Sequence, residues 1–343
     1  MLSTKPKASL WRSHWPTAIF FATLFLIHEA GINGYLPGNF LNERMLPNLR
    51  RVTAFFTDIK FKLRGKEKPK SPVVVLEIDS ASIESFGRWP WRRDLIAFLI
   101  DEIFKAGGKF VATDMFFSEP EKRVPDELLD ILRHVNLGHL ANDFETDPHM
   151  VNAIDTYRKR LVLGWATESP CQPKLNGRDK CNVLLPEAVA SLPENFSNFS
   201  TGNFTYAAPF EAEKTPVSSA VTVLANIPEY QKVAEHMGFV NSQRDPDGLI
   251  RRSSLVMITG GKPFFSLPLE MAQLATASPA DISFDSGFGI ASLKVGGREI
   301  PVTRTGLMEI NFRGGERSFP YVSARDLLSV TQCDGAKIGR AHV

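Results

Sequence analysis

The apolar positions of this chain change period several times, and each change marks an element. From Val73 to Asp79 the run VVVLEID is continuous and β-branched, as expected of a strand buried on both faces. Residues 92–106 (RRDLIAFLIDEIFKA) instead put Leu95, Ile96, Leu99, Ile103 and Phe104 on one helical face. Asp94 suits the first turn of that helix, and Gly107-Gly108 its end. Lys109–Phe117 (KFVATDMFF) reads as a second strand and Leu161–Thr167 (LVLGWAT) as a third. Strand, helix and strand at this spacing predict a βαβ unit with a right-handed crossover. The expected fold class is α/β, with a mainly parallel sheet and helices on its faces.

Further along, Gly238–Asn241 and Leu255–Thr259 read as short strands. Turn chemistry lies between them at Asp245-Pro246-Asp247-Gly248. Residues 266–277 (SLPLEMAQLATA) predict a helix after Ser266, with Pro268 in its first turn. Residues 290–302 predict a hairpin around Gly296-Gly297, followed by a strand at Leu307–Arg313 and a helix starting at Ser323. From about 168 to 235 the chain is rich in Pro, Asn, Ser and Thr, which predicts a long loop-rich insertion. Its sequons at Asn195, Asn198 and Asn203 are glycosylation sites only in a eukaryotic secretory protein, and otherwise loop composition.

The N-terminus carries Lys5, Lys7 and Arg12, then the apolar run Trp15–Ile27, which extends to about twenty residues by Tyr35. This predicts an uncleaved transmembrane helix over 15–36, with residues 1–14 in the cytoplasm and the rest outside. The alternative is a buried helix of a soluble protein. Residues 42–64 place Leu49, Val52, Phe55, Phe56, Ile59 and Leu63 at helical spacing. Such a stripe makes residues 37–72 a stalk and linker, either pairing with a second copy or packing on its own domain. The main domain is then 73–336. The last seven residues, KIGRAHV, resemble a translated sequencing adapter when read back into codons. Residues 337–343 are therefore expected to be an artefact, with the natural frame continuing past Ala336.

Composition adds limits. The 343 residues are 43% hydrophobic and 23% charged, with a formal net charge of +2, so no basic field supports a nucleic-acid partner. Of three cysteines, Cys171 and Cys181 bracket a short polar loop. They suit a local disulfide in an oxidising compartment, or are two unrelated thiols. No metal site is assigned, since no His or further Cys lies beside them.

The candidate chemistry is sparse. Asp79 and Asp114 end two strands expected to be parallel neighbours, and ligands of open α/β sheets bind beyond the strands' carboxyl ends. With Arg93, and with Trp89 and Trp91 of a rigid Trp-Pro-Trp loop, they form a candidate ligand pocket. In the plainer reading each Asp caps a loop or pairs with Arg88, Arg92 or Arg93, and the tryptophans pack. Asp245 and Asp247 fall short of a calcium loop and read as a turn. The seven His are scattered and no Gly-x-Ser-x-Gly elbow occurs, so no catalytic residue and no cofactor is assigned.

Four blocks carry a family likeness: DIKFKLRG (58–65), EIDSASIESFGRWPWRRDLIAFLIDEIFKAGGKFVATDMFFSEP (77–120), GFVNSQRDPDGLIRRSSL (238–255) and INFRGGERSFPYVSARDLL (310–328). In this order they resemble the type-two CHASE domain, an extracellular sensory module of bacterial transmembrane receptors. The resemblance implies a small-molecule sensor in the periplasm or outside the cell, anchored in the inner membrane. Further membrane helices and a cytoplasmic output, an adenylate or diguanylate cyclase or a protein kinase, would follow; the sequence departs from that pattern at its end. The competing expectation is a membrane-anchored periplasmic hydrolase using Asp79 and Asp114 with a metal.

Overall fold

In a computed structural model, the described residues are 46–330, apart from 71, 122–123, 139, 141–143, 168–169, 172–195, 207–214, 221–222, 243, 246 and 286–288, together with 19–23, 25 and 26. Residues 19–23, 25 and 26 are helical, with exposed side chains. Most of the expected span over 15–36, and all of 337–343, lie outside the described residues. Among the described residues no helix is long and apolar enough to cross a membrane.

The elements run α1 (Leu46–Arg64), β1 (Val75–Glu77), α2 (Ser80–Phe86), α3 (Arg93–Lys105), β2 (Val111–Thr113), α4 (Asp126–His134), α5 (Asp147–Tyr157) and β3 (Leu161–Trp165). Then come β4 (Pro170–Cys171), a 3₁₀ turn (Phe196–Phe199), β5 (Asn203–Tyr206), β6 (Ser219–Ala220), α6 (Pro228–Val233) and β7 (His236–Phe239). The last part holds β8 (Arg252–Ser254), β9 (Val256–Thr259), β10 (Lys262–Phe265), α7 (Leu267–Thr276), β11 (Asp281–Asp285), β12 (Gly289–Val295), β13 (Arg298–Glu299), β14 (Leu307–Glu309), β15 (Tyr321–Ser323) and α8 (Ala324–Val330).

The centre is a parallel sheet in the order β2–β3–β7. All five residues of β3 are buried, as a strand covered on both faces requires. Helix α3 covers it with Ile96, Leu99, Ile100 and Phe104; of the predicted stripe Leu95 and Ile103 are only partly buried, and Ile100 lies outside that stripe yet is buried. The helix ends where Gly107 takes φ 98°, a left-handed conformation that costs glycine little. Trp165 anchors an aromatic cluster, meeting Phe196, Phe239 and Phe264 edge-on at 4.9, 5.8 and 5.9 Å between centroids. Gly238 lets β7 lie against α7, because a Cβ there would come within 2.5 Å of the Leu267 Cα. A second apolar cluster, including Val256, Phe265, Ile282 and Leu293, lies among β9, β10, α7, β11 and β12.

Several expectations change. The architecture is mixed: the parallel sheet, β6–β9, β5–β11 and β1–β15 are joined by antiparallel pairs at β4–β6, β8–β14, β9–β10, β11–β12 and β12–β13. Strand β1 is not buried on both faces: Val73 and Val74 are exposed and β1 itself is half-buried. It pairs with β15 rather than β2. Part of the expected insertion is core. Phe196, Phe199 and Tyr230 are buried, and β5 joins β11 in a parallel ladder. Polar composition there concealed apolar anchors spaced by small residues. The hairpin at Gly296-Gly297 forms as expected between β12 and β13.

Candidate functional site

Contrary to the expectation from sequence, Asp79 and Asp114 do not end neighbouring parallel strands: β1 and β2 belong to different sheets. Asp79 is the N-cap of α2. Its Oδ1 accepts from the Ser82 N–H at 2.8 Å, the Ser82 hydroxyl at 2.7 Å and the Ser323 hydroxyl at 3.0 Å. Those bonds, led by the Ser82 hydroxyl, hold its carboxyl below the ordinary range. The buried Ser82 oxygen also accepts from the Arg325 N–H at 2.9 Å. Asp79 thereby ties β1 and α2 to β15 and α8. Asp114 is exposed beyond the end of β2. The metal-assisted hydrolase reading needed the two carboxylates together, and this geometry withdraws its support.

Arg93 belongs to another cluster, where the loop after β2 meets the starts of α3, α5 and α6. Its guanidinium lies 4.2 Å from the Phe117 ring centroid, and its Nε is 3.6 Å from Asp147 Oδ1. The Tyr230 hydroxyl donates to the same Asp147 oxygen at 2.5 Å. Burial, then this bond, pushes the Tyr230 phenol up. Glu121 bridges two helix starts, accepting from the Arg93 N–H at 2.9 Å and from the Thr146 hydroxyl. Trp91 is buried, donates Nε1–H to the Gly87 carbonyl at 2.9 Å and packs edge-on against Phe86. Trp89 is partly exposed and tilted against Trp91. Cys171 lies in β4, whereas Cys181 falls outside the described residues.

The densest polar construction went unassigned in the sequence as a site. Arg251, almost wholly buried, reaches back to helix α1: its Nε and Nη2 donate to the two carboxylate oxygens of Asp58, both at 2.8 Å. Its Nη1 also donates to Asp245 and Asp247, each at 3.0 Å, and Nη2 to Asp247 at 2.8 Å. Arg252 adds a 2.5 Å bond to Asp245. Bidentate pairing of this kind fixes orientation as well as supplying energy. The Arg251 bonds hold Asp58 low and bring Asp247 to about 2. The Asp245–Gly248 turn is thus a mould for Arg251, closed by Gly248 N–H to the Asp245 carbonyl at 2.8 Å.

The same helix face carries Phe61 and Arg64. Phe61 meets Phe312 edge-on at 5.7 Å, and Arg64 bonds Asn311 at 2.6 Å and the Phe312 carbonyl. Glu67 pairs with Arg313 at 2.5 Å, and its N–H donates to the Arg313 carbonyl at 2.7 Å. Next, β1 runs parallel to β15 with Val75 opposite Tyr321. The segment entering the domain and the segment leaving it are therefore joined along their length. Asp58–Gly65, the Asp245–Arg252 turn and Ile310–Arg313 lie far apart in the chain, and all converge at this joint. Their shared membership of the quoted blocks was the one sequence signal available.

The family model of the CHASE2 domain matches residues 38–340, and the chain belongs to that family, whose members are extracellular sensory domains. No curated protein and no solved structure matches the chain.

Proposed function

We propose that this chain is the extracytoplasmic ligand-sensing part of a bacterial transmembrane receptor. In this reading residues 15–36 anchor it in the inner membrane, and its state passes to a cytoplasmic cyclase or protein kinase. The observation that carries the reading is the joint around Arg251. A domain that only bound a molecule would have no need to lock its entry helix to its exit strand. A small shift of the core against this joint moves both membrane-facing ends together, as a two-state receptor requires. A second copy of the chain is the partner for the outer face of α1. There Phe55, Phe56 and Leu63 are 60%, 57% and 83% exposed, while Asp58, Phe61 and Arg64 hold the inner face.

The test is a thermal-shift screen of the chain against small metabolites, followed by hydrogen exchange. A metabolite that raises Tm is expected to alter exchange at residues 52–67 and 307–313. Binding that leaves those amides unchanged contradicts the coupling.

A further inference from the structure

A cavity of about 340 Å³ opens between the 3₁₀ turn and α6, lined by Asn198, Phe199, Gln231, Lys232, Ala234 and Glu235. That is the size of a small-ligand site. Its charges are unequal. The Glu235 carboxylate is already held by Arg158 Nε at 2.9 Å. The Lys232 ammonium is exposed and makes no hydrogen bond or ion pair among the described residues. The cavity thus presents one uncommitted cation beside the carboxamides of Asn198 and Gln231. Little of the open lining is apolar, since Phe199 is only 3% exposed. The frame is firm: Gln231 is buried and donates Nε2–H to the Asn226 carbonyl at 2.5 Å, and Phe199 is buried in the core.

We propose that this cavity binds a small organic carboxylate. The anion meets Lys232 and the Asn198 amide. The position suits signalling. Tyr230, next to Gln231 on α6, is tied through Asp147 to Arg93 at the start of α3, and α3 packs against the exit helix α8. A ligand that draws α6 towards the 3₁₀ turn would pull on that chain of contacts.

The identity of this site as the sensory one rests on the reading above; its binding does not. The experiment is calorimetric titration of the full chain with benzoate, and with benzamide as its neutral isostere. Benzoate is expected to bind, and benzamide at least about tenfold more weakly, the ratio set by one charge-assisted contact. Lys232→Gln, a change at an exposed position, is expected to weaken benzoate about tenfold, and Asn198→Ala severalfold. No benzoate binding, equal binding of the two probes, or undiminished binding by Lys232→Gln would each overturn the proposal. The sensory reading would outlive that failure if another metabolite from the thermal-shift screen altered exchange at the joint.

Discussion

The β2–β3–β7 core and the joint around Arg251 are held together by different physics. The core is apolar, close-packed and built from segments whose periodicity declares their role. The joint has little apolar burial: three carboxylates surround one guanidinium, with Phe61 beside them meeting Phe312 and the Arg64 guanidinium. Apolar packing resists any displacement, because moving a buried ring opens a void. A charge network exchanges partners and water more readily, and its strength depends on protonation and salt. The contrast suits a sensor, in which a stiff body must act on a connection that can change state.

Trp165→Ala should give the largest effect, since it empties the middle of the aromatic cluster. A loss of about 3–5 kcal/mol is expected in urea melts, with unfolding of the whole domain. Arg251→Ala should cost less globally, about 2–3 kcal/mol, because two of the three carboxylates it strands, Asp58 and Asp247, reach water. Its signature is local: hydrogen exchange should rise in 52–64 and 244–252 while β3 stays protected. If β3 exchanges as fast as the joint, the two regions are not separable.

Acid should distinguish them too. Asp58 and Asp247 are held low by Arg251, so their contribution is fully present above about pH 4, where unfolded carboxyls are ionised. It is lost as the pH falls through the folded value, about 2 for Asp247. Detachment of α1 should follow that window in the native chain and vanish in Arg251→Ala. Asp79→Ala removes a helix cap and the tie to Ser323, and should lower the urea midpoint less than Arg251→Ala does. Leu63→Glu should leave monomer stability within about 0.5 kcal/mol, yet weaken self-association measured by sedimentation. Unchanged association would remove the outer face of α1 as the dimer surface.

Much of the core was legible before the structure. The α3 stripe, the apolar run of β3, the Ser266 start of α7 and the Gly296-Gly297 hairpin each follow from period or turn chemistry, and each formed. The short, half-buried β1 misled, because Val73 and Val74 resemble a core strand while lying exposed. Helix α4 escaped notice although Leu128, Leu129, Ile131 and Leu132 recur at helical spacing; Leu128 and Ile131 of that stripe are exposed. Phe196 and Phe199 were hidden in polar surroundings. The joint was the least legible part. Nothing local relates Asp58 to Arg251, which lies 193 positions away, and only the shared family blocks hinted that both mattered. Asp79 drew notice as a strand-end acid; in the structure it caps α2, and it bonds Ser82 and Ser323.

The central claim is that Asp58 and Arg251 bind helix α1 to the body of the domain as one energetic unit. A double-mutant cycle, Asp58→Asn with Arg251→Gln, read by urea melts and by exchange in 52–64, tests it directly. The account predicts a coupling of about 1 kcal/mol or more, with the double mutant no more exposed than Arg251→Gln alone. Strictly additive effects, with α1 still protected in both single mutants, would contradict it.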